Sequence, residues 1–256
     1  MQSFCSRAKR ESLAIRSIFF FTAALAAFGA PPRAPAAPPP GYYDPAAGLS
    51  NGPLKAALKS IISTGYISFS YNAARDIMFG TVDDYNYNNR IECVYTGVTN
   101  GPILNRTDAF ANFDMNTEHT WPQSKFGSAS PMVSDIHHLF PTFASPNSIR
   151  GNLPFGVVVS GQNWQSNGSK RGLNGSGQTV FEPRDQHKGA AARALLYFDT
   201  RYQDWGAFLN ESGQLSALLA WHCQDPPRAA ESNRNDRVWS NQNNRNPYVD
   251  HPEWVS

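Results

Sequence analysis

Glycine and proline break this chain into short segments, which limits the folds that it can adopt. The 256 residues include 19 glycines and 19 prolines, whereas charged residues make up only 16%. Both residues disfavour helix interiors, and the length is sufficient for one well-cored domain. The pattern therefore favours a loop-rich domain over a helical bundle.

The first residues have the pattern of an export signal. Basic residues precede an apolar run at residues 18–27, which is too short to cross a bilayer and is followed by Pro31 and Pro32. We expect residues 1–27 to be a cleaved signal peptide, 28–50 a Pro/Ala-rich linker and 51–256 the folded domain. The mature protein would then be secreted or periplasmic. An uncleaved membrane anchor is the alternative.

Removal of residues 1–27 would leave a nearly neutral protein. Of the 22 basic and 20 acidic residues, 18 basic and 19 acidic ones would remain. Net charge then gives no indication of a nucleic-acid partner, so phosphate binding would have to come from a local cluster. Cys93 and Cys223 are the cysteines beyond residue 27, and they could form a disulfide or stay as two buried thiols.

The spacing of apolar residues predicts an α+β protein built from short elements. Helices are predicted at residues 54–62, 71–79, 145–152, 190–202 and 215–222, and Gly80 should end the second of them. Short strands are predicted at residues 91–95, 117–120, 136–140 and 157–159. Residues 160–177 are rich in Gly, Ser and Asn and should form a mobile surface loop.

The residues that carry chemistry concentrate between positions 116 and 156. Glu118 offers a carboxylate oxygen, the adjacent His119 can take a proton near neutral pH, and Asn147 offers a neutral amide oxygen. One carboxylate and one amide are too few protein ligands to hold a structural metal ion. They are suited to Mg²⁺ that keeps several waters and completes its shell with substrate phosphate oxygens.

The adjacency of Glu118 and His119 restricts where such a site can form. Neighbouring residues of a regular strand point to opposite faces, so both can serve one site only near a strand end. Pro122 limits continuation of the strand just beyond them. We therefore expect a departure from regular strand pairing close to these two residues.

Several motifs of this region, in order, resemble the bacterial endonuclease I family. They are Glu118-His119 with Trp121-Pro122, the run from Ser134 to Pro141, and Asn147 with Arg150 and Asn152. Residues 94–97, 188–194 and 244–254 also fit the secreted members of the family, so the likeness covers about residues 55–256. Several motifs in the right order are far more specific than any one alone.

The resemblance implies a ββα-metal, or His-Me, finger core surrounded by helices. It implies that His119 is the general base that activates water, while Glu118 and Asn147 hold one divalent ion. The ion would be Mg²⁺, with Mn²⁺ or Ca²⁺ as substitutes. The implied activity is a largely sequence-nonspecific endonuclease that hydrolyses phosphodiester bonds of DNA, RNA or both.

Other polar residues near these motifs are weaker candidates. Some family members carry an arginine between the two motifs that steadies the cleaved phosphate, but residues 123–134 contain none. Arg150 is the best replacement and a second predicted catalytic residue, because a helical i, i+3 relation puts it near the face of Asn147. Supporting or substrate-binding roles are assigned to Arg90, Lys125, Asp135, His137, His138 and Asn152.

Two further function classes stay open on the residues alone. A zinc hydrolase could use His119, His137 and His138, although no HExxH or Cys/His spacing supports it. A secreted binding module without activity is the other, and the intact Glu118, His119 and Asn147 argue against it. The favoured reading is a monomer whose partner is a nucleic acid and which needs no membrane after signal removal.

Overall fold

The computed structural model describes residues 38–86, 88–203 and 206–255. The expected signal peptide and residues 28–37 of the expected linker lie outside this part of the chain. The end of the expected linker packs on the domain: Ala46 is buried, and the Tyr43 hydroxyl donates to Asp250 at 2.7 Å. Among the described residues, no helix combines the length and apolar character needed to cross a membrane.

The described residues form an α+β fold of short elements. The helices are α1 (Asn51–Ser63), α2 (Tyr71–Ile77), α3 (Arg106–Phe113), α4 (Ala144–Arg150), α5 (Asp185–Phe198), α6 (Ala207–Asn210), α7 (Gln214–Gln224), α8 (Ala229–Gln242) and α9 (Pro247–Asp250). The strands are β1 (Ile91–Glu92), β2 (Thr99–Asn100), β3 (Met115–His119), β4 (Leu139–Phe143), β5 (Ser160–Ser166), β6 (Ser169–Leu173) and β7 (Thr179–Glu182). They pair antiparallel as β1–β2, β3–β4 and β5–β6–β7.

The Ala-rich helix α5 lies at the centre of the main core. Its buried residues include Leu195 and Phe198, and small alanines on the same helix let neighbouring elements approach closely. Gly189 is required at one such approach, since a Cβ there would lie 2.0 Å from the Asp225 carbonyl oxygen at the end of α7. The β3–β4 hairpin packs against this core through Met115, Leu139 and Phe140.

The β3–β4 hairpin and α4 form one continuous unit. Glu118 pairs with Phe140 and His119 with Leu139, and β3 ends at His119, as expected from Pro122. The predicted strand at 136–140 starts too early. Residues 136–138 form a 3₁₀ turn instead, because the Asp135 carboxylate accepts a hydrogen bond from the His137 backbone N–H at 3.1 Å and so caps that turn.

The prediction of a loop at residues 160–177 is wrong. Residues 160–173 form the β5–β6 hairpin, whose turn residues Asn167 and Gly168 have φ of 45° and 97°. An Asn-Gly pair is the strongest short-range hairpin signal, because both positions tolerate positive φ. Trp164 on β5 stacks against Phe181 of β7 at 5.8 Å between ring centroids, which ties the hairpin to the core. The predicted strand at 157–159 is also wrong.

Two other expectations are corrected by packing. Helix α2 does not end at Gly80 but continues as a π-helical turn, Met78–Val82, and a Cβ on Gly80 would lie 2.4 Å from the Leu104 carbonyl oxygen. Cys93 is a free, buried thiol whose sulfur accepts a hydrogen bond from the Phe143 N–H at 3.3 Å. The predicted disulfide between Cys93 and Cys223 is therefore wrong.

Candidate active site

Glu118 is buried at the end of β3 on the side of α4. Its side chain and that of Arg150 are each 1% exposed, and their Oε1 and Nη1 atoms lie 2.9 Å apart. The N–H groups of Arg150 are directed at the carbonyls of His119, at 2.9 Å, and Thr120, at 2.5 Å. Oε1 of Glu118 consequently receives no hydrogen bond in the described part of the chain.

Burial governs the protonation of this carboxylate. It raises the pKa of Glu118 to about 6, although the positive charge of Arg150 and, to a smaller extent, the Tyr95 hydroxyl oppose the increase. A buried acceptor without a donor is costly unless another group completes its coordination. Glu118 is thus a carboxylate that protein groups have left only partly satisfied.

Asn147 is held beside β3 from the first turns of α4. Its Nδ2 donates to the Thr117 carbonyl oxygen at 3.2 Å. This contact fixes the amide so that Oδ1 faces away from the strand backbone, and no described residue donates to Oδ1. Asn147, which is distant in sequence, is therefore hydrogen-bonded to the residue that precedes Glu118.

Both ring nitrogens of His119 have partners. Nε2 lies 3.1 Å from the Val133 carbonyl oxygen, and Nδ1 lies 3.1 Å from the Gln123 amide nitrogen. A carbonyl can only accept and an amide NH₂ can only donate, so Nε2 carries the proton and Nδ1 the lone pair. The Ser128 hydroxyl, in turn, donates to Oε1 of Gln123 at 3.1 Å.

Aromatic rings surround His119 and keep it neutral. Its ring centroid lies 5.3 Å from those of Tyr71 and His138 and 6.4 Å from that of Phe126. Burial lowers the pKa of His119 to about 3, and His138 adds to the decrease. The imidazole is therefore neutral near physiological pH, with its Nδ1 lone pair able to take a proton.

Helix α2 adds two residues to the site that the sequence analysis missed. Tyr71 and Arg75 are one turn apart on one face, and the guanidinium carbon of Arg75 lies 5.1 Å from the centroid of the Tyr71 ring. Nε of Arg75 donates to the Thr117 hydroxyl at 3.2 Å. The i, i+4 spacing was readable in the sequence, but nothing local linked α2 to a strand more than 40 residues away.

Glu118 and His119 make contacts on opposite faces of β3, as strand geometry requires. Glu118 contacts Arg150 of α4, whereas His119 packs against Tyr71 of α2. Thr117 joins the two sides, because its carbonyl holds Asn147 and its hydroxyl holds Arg75. Glu118, His119, Asn147 and Arg150 all lie at the end of β3, with Glu118 and His119 on opposite faces of the strand.

Asp135 and His137 lie in the core rather than beside this strand end. The Asp135 carboxylate accepts hydrogen bonds from Tyr197, Arg201, Tyr202 and Gln242, all between 2.6 and 2.8 Å. Burial alone would raise the pKa of Asp135, but Arg201 and the neighbouring histidines outweigh burial and hold it below its ordinary value. Nε2 of His137 bonds to the Asn244 carbonyl at 3.1 Å.

The remaining weaker candidates are dispersed. His138 packs against His119 and bonds through Nε2 to the Met132 carbonyl at 2.7 Å. Lys125 pairs with Glu211 at 2.7 Å, Arg90 is exposed and donates to the Thr99 carbonyl at 3.4 Å, and Asn152 is exposed beyond α4. None of these contacts involves Glu118 or Asn147.

The donor set limits which ion the strand end can accept. Within the described ranges, no group of three or more His, Cys, Asp or Glu side chains is arranged to hold a metal ion. The three-ligand zinc centre of the hydrolase alternative therefore has no counterpart there. Glu118 Oε1, which lies 2.9 Å from Arg150 Nη1, and Asn147 Oδ1 are hard oxygens, and they fit a cation whose shell is completed by water and ligand oxygens.

Known proteins with similar sequences are nucleases. The model of the Endonuclease I family matches residues 51–253. The extracellular ribonuclease of Bacillus amyloliquefaciens is 36% identical over 230 residues, covering 84% of this chain and 76% of that protein. The extracellular ribonuclease of Bacillus subtilis is 34% identical over 242 residues, covering 88% of this chain and 81% of that protein. A periplasmic deoxyribonuclease of Aeromonas hydrophila is 29% identical over 132 residues, covering 49% of this chain and 51% of that protein.

Proposed function

Since this chain belongs to the endonuclease I family and is a secreted or periplasmic nuclease, we propose that it cuts nucleic acid at a metal-dependent site formed by Glu118, His119 and Asn147. The β3–β4 hairpin and α4 then serve as a ββα-metal core. The observation that supports the proposal is that the end of β3 carries a buried carboxylate whose Oε1 receives no hydrogen bond from a described residue, an amide held by Thr117 and a neutral imidazole.

Glu118 and Asn147 are the proposed ligands of one divalent ion, Mg²⁺ or Mn²⁺. Each presents an oxygen that receives no hydrogen bond from a described residue. The Asn147 amide donates to the carbonyl of Thr117, the residue that precedes Glu118. The bound ion would supply positive charge beside the phosphate oxygens where negative charge develops. Ca²⁺ could occupy the same oxygen ligands.

His119 is the proposed general base. The Val133 carbonyl holds the proton on Nε2, so the lone pair on Nδ1 is the acceptor for a proton from the attacking water. In the structure the Gln123 amide donates to that lone pair at 3.1 Å. The water that His119 deprotonates therefore has to replace this amide. Its attack on phosphorus would break the P–O3′ bond, and the leaving 3′ oxygen would take a proton from a second water, which gives 5′-phosphate and 3′-hydroxyl ends.

Arg150 is a proposed positioning residue rather than a phosphate ligand. It is 1% exposed, its N–H groups bond to the carbonyls of His119 and Thr120, and its charge faces Glu118. A guanidinium enclosed in this way holds the end of β3 in place. It keeps Glu118 and His119 adjacent to α4 without reaching the solvent side.

Cleavage of plasmid DNA and of structured RNA, with EDTA and after addition of Mg²⁺, tests the function. We expect EDTA to abolish cleavage and Mg²⁺ to restore it. RNA should be cut at least as fast as DNA, because both relatives that align over most of the chain are ribonucleases. Cleavage that resists EDTA would contradict the metal site, and cleavage of neither polymer would contradict the nuclease.

A further inference from the structure

Arg75 lies next to the proposed active site but interacts with it through only one of its nitrogens. Nε donates to the Thr117 hydroxyl at 3.2 Å, and the Tyr71 ring lies beneath the guanidinium at 5.1 Å. The carbonyl of the same Thr117 receives the Asn147 amide at 3.2 Å. Arg75 is thus anchored to the residue that also orients a proposed metal ligand.

The terminal amino groups of Arg75 have no acceptor among the residues that the structure describes. The neighbouring carboxylate, Asp76, pairs with Arg106 instead. Other arginines near the core are matched by acids, as Arg201 is by Asp135 and Arg234 by Asp83. A half-buried guanidinium without a counter-ion has lost part of its hydration and gains strongly from an anionic ligand.

We propose that Arg75 is a catalytic residue that binds the non-bridging oxygens of the scissile phosphate. This inference rests on the proposed function, because the phosphate would lie between Arg75 and His119 on the same face of β3. The two nitrogen atoms left free by the Thr117 contact match the bidentate geometry of arginine–phosphate pairs. Their positive charge stabilises the negative charge that develops as water attacks phosphorus.

The cations predicted from the sequence are less well placed for this role. Arg150 is enclosed behind Glu118 with its N–H groups on backbone carbonyls, and Lys125 pairs with Glu211. Arg90 donates to the carbonyl of Thr99 in β2 at 3.4 Å. By contrast, Tyr71, on the same face of α2 as Arg75, is in ring contact with His119.

Kinetics and binding of the variants Arg75→Ala and Arg75→Lys test the assignment. Cleavage of a short oligonucleotide with Mg²⁺ gives kcat and KM, and fluorescence anisotropy of the same oligonucleotide in EDTA gives binding over a series of salt concentrations. We expect Arg75→Ala to lower kcat/KM by about 10²- to 10³-fold. Its log–log salt slope should be smaller than that of the wild type by about one.

Arg75→Lys should recover part of the activity, because a point charge remains without the bidentate geometry. Arg228→Ala is the matched control: Arg228 is an exposed arginine paired with Asp225, three residues away, and its loss should change kcat/KM by less than about twofold. Circular dichroism of each variant verifies folding.

Wild-type kinetics in Arg75→Ala would overturn the inference. So would a loss of activity in Arg75→Ala with an unchanged salt slope, since a merely structural role would leave phosphate binding in EDTA intact. Either result leaves the proposed function standing if the wild type cleaves with Mg²⁺. An inactive wild-type protein instead overturns the proposed function, and the inference with it.

Discussion

Glu118 and Asp135 are both buried carboxylates close to an arginine, yet their surroundings differ in kind. Asp135, in what we call the Asp135 cluster (Asp135, Tyr197, Arg201, Tyr202 and Gln242), is saturated with donors. Glu118, at the end of β3, faces Arg150 at 2.9 Å, but its Oε1 receives no hydrogen bond from the described residues. The pKa of Asp135 is lowered and that of Glu118 is raised to about 6.

Under the proposed function, the difference separates a structural carboxylate, Asp135, from a metal-binding one, Glu118. A buried ion surrounded by donors fixes elements that are distant in sequence, here the turn before β4, α5 and α8. A buried acceptor that protein groups leave open retains capacity for a ligand. Loss of Asp135 should therefore reduce stability, whereas loss of residues at the end of β3 should reduce activity.

The largest expected effect is that of His119→Ala on cleavage. Removal of a general base should lower kcat by about 10²- to 10⁴-fold. The ring makes no charged contact, and metal binding should persist, because the proposed ligands remain. Rates of RNA cleavage with saturating Mg²⁺ measure the loss, and near-normal turnover would remove the base assignment.

Asp135→Asn should destabilise the fold by a comparable free energy. It leaves Arg201 buried without its counter-ion, which costs about 3–5 kcal/mol in comparable cases. Urea denaturation gives the free energy of unfolding. Glu211→Gln is the matched control, because the side chains of Lys125 and Glu211 are 35% and 41% exposed and their pair should contribute less than about 1 kcal/mol. Equal stability of the two variants would show that Asp135 is not the structural carboxylate that we contrast with Glu118.

Acid should weaken the interior around the Asp135 cluster. Burial lowers the pKa of His137 and of His138 to about 4, and that of His187 to about 3, from an ordinary value of 6.5. As pH falls below about 6.5, the histidines bind protons in the unfolded chain but not in the folded chain. The free energy of unfolding therefore decreases as the pH is lowered. The raised pKa values of Glu118 and Asp236 oppose this change, whereas the lowered pKa values of His119 and His222 add to it.

Thermal unfolding at a series of pH values checks this expectation. Tm should fall steadily between pH 6.5 and pH 4, the window set by the ordinary and lowered pKa values of these histidines. A Tm that stays constant or rises over this window would show that the histidines are not buried in neutral form.

The smallest effect is expected at Gln123. Its amide occupies the lone pair of His119 that the reacting water needs, so Gln123→Ala should raise kcat, by no more than about fivefold for a single hydrogen bond. Steady-state cleavage measures it. A loss of activity comparable to that of His119→Ala would show that Gln123 aids catalysis rather than competing with the water.

The sequence predicted which candidate residues lie near one another better than it predicted the fold around them. Glu118, His119 and Asn147 share one short region whose turn and strand signals are local, and Pro122 indicated the end of β3. Helices α3 and α8 and strand β7 were missed. The mean hydropathy of α8 is low, and it is held by buried ion pairs such as Arg234–Asp83 rather than by an apolar stripe.

Arg75 and the Asp135 cluster could not be predicted for the same reason. Their partners are separated in sequence by 42 residues for Arg75–Thr117 and by 107 for Asp135–Gln242. Only tertiary packing brings these groups together, and a single sequence records no such pairing. The β5–β6 hairpin is different: its Asn167-Gly168 turn was visible but was outweighed by the polar composition around it.

Metal titration tests most directly whether the end of β3 is a binding site. Isothermal titration of Mn²⁺ near neutral pH would compare the wild type with Glu118→Gln, Asn147→Ala and the control Glu211→Gln. We predict one ion per wild-type chain, the same affinity in Glu211→Gln, and at least about tenfold weaker binding in both site variants. Unchanged Mn²⁺ affinity in Glu118→Gln would contradict the account.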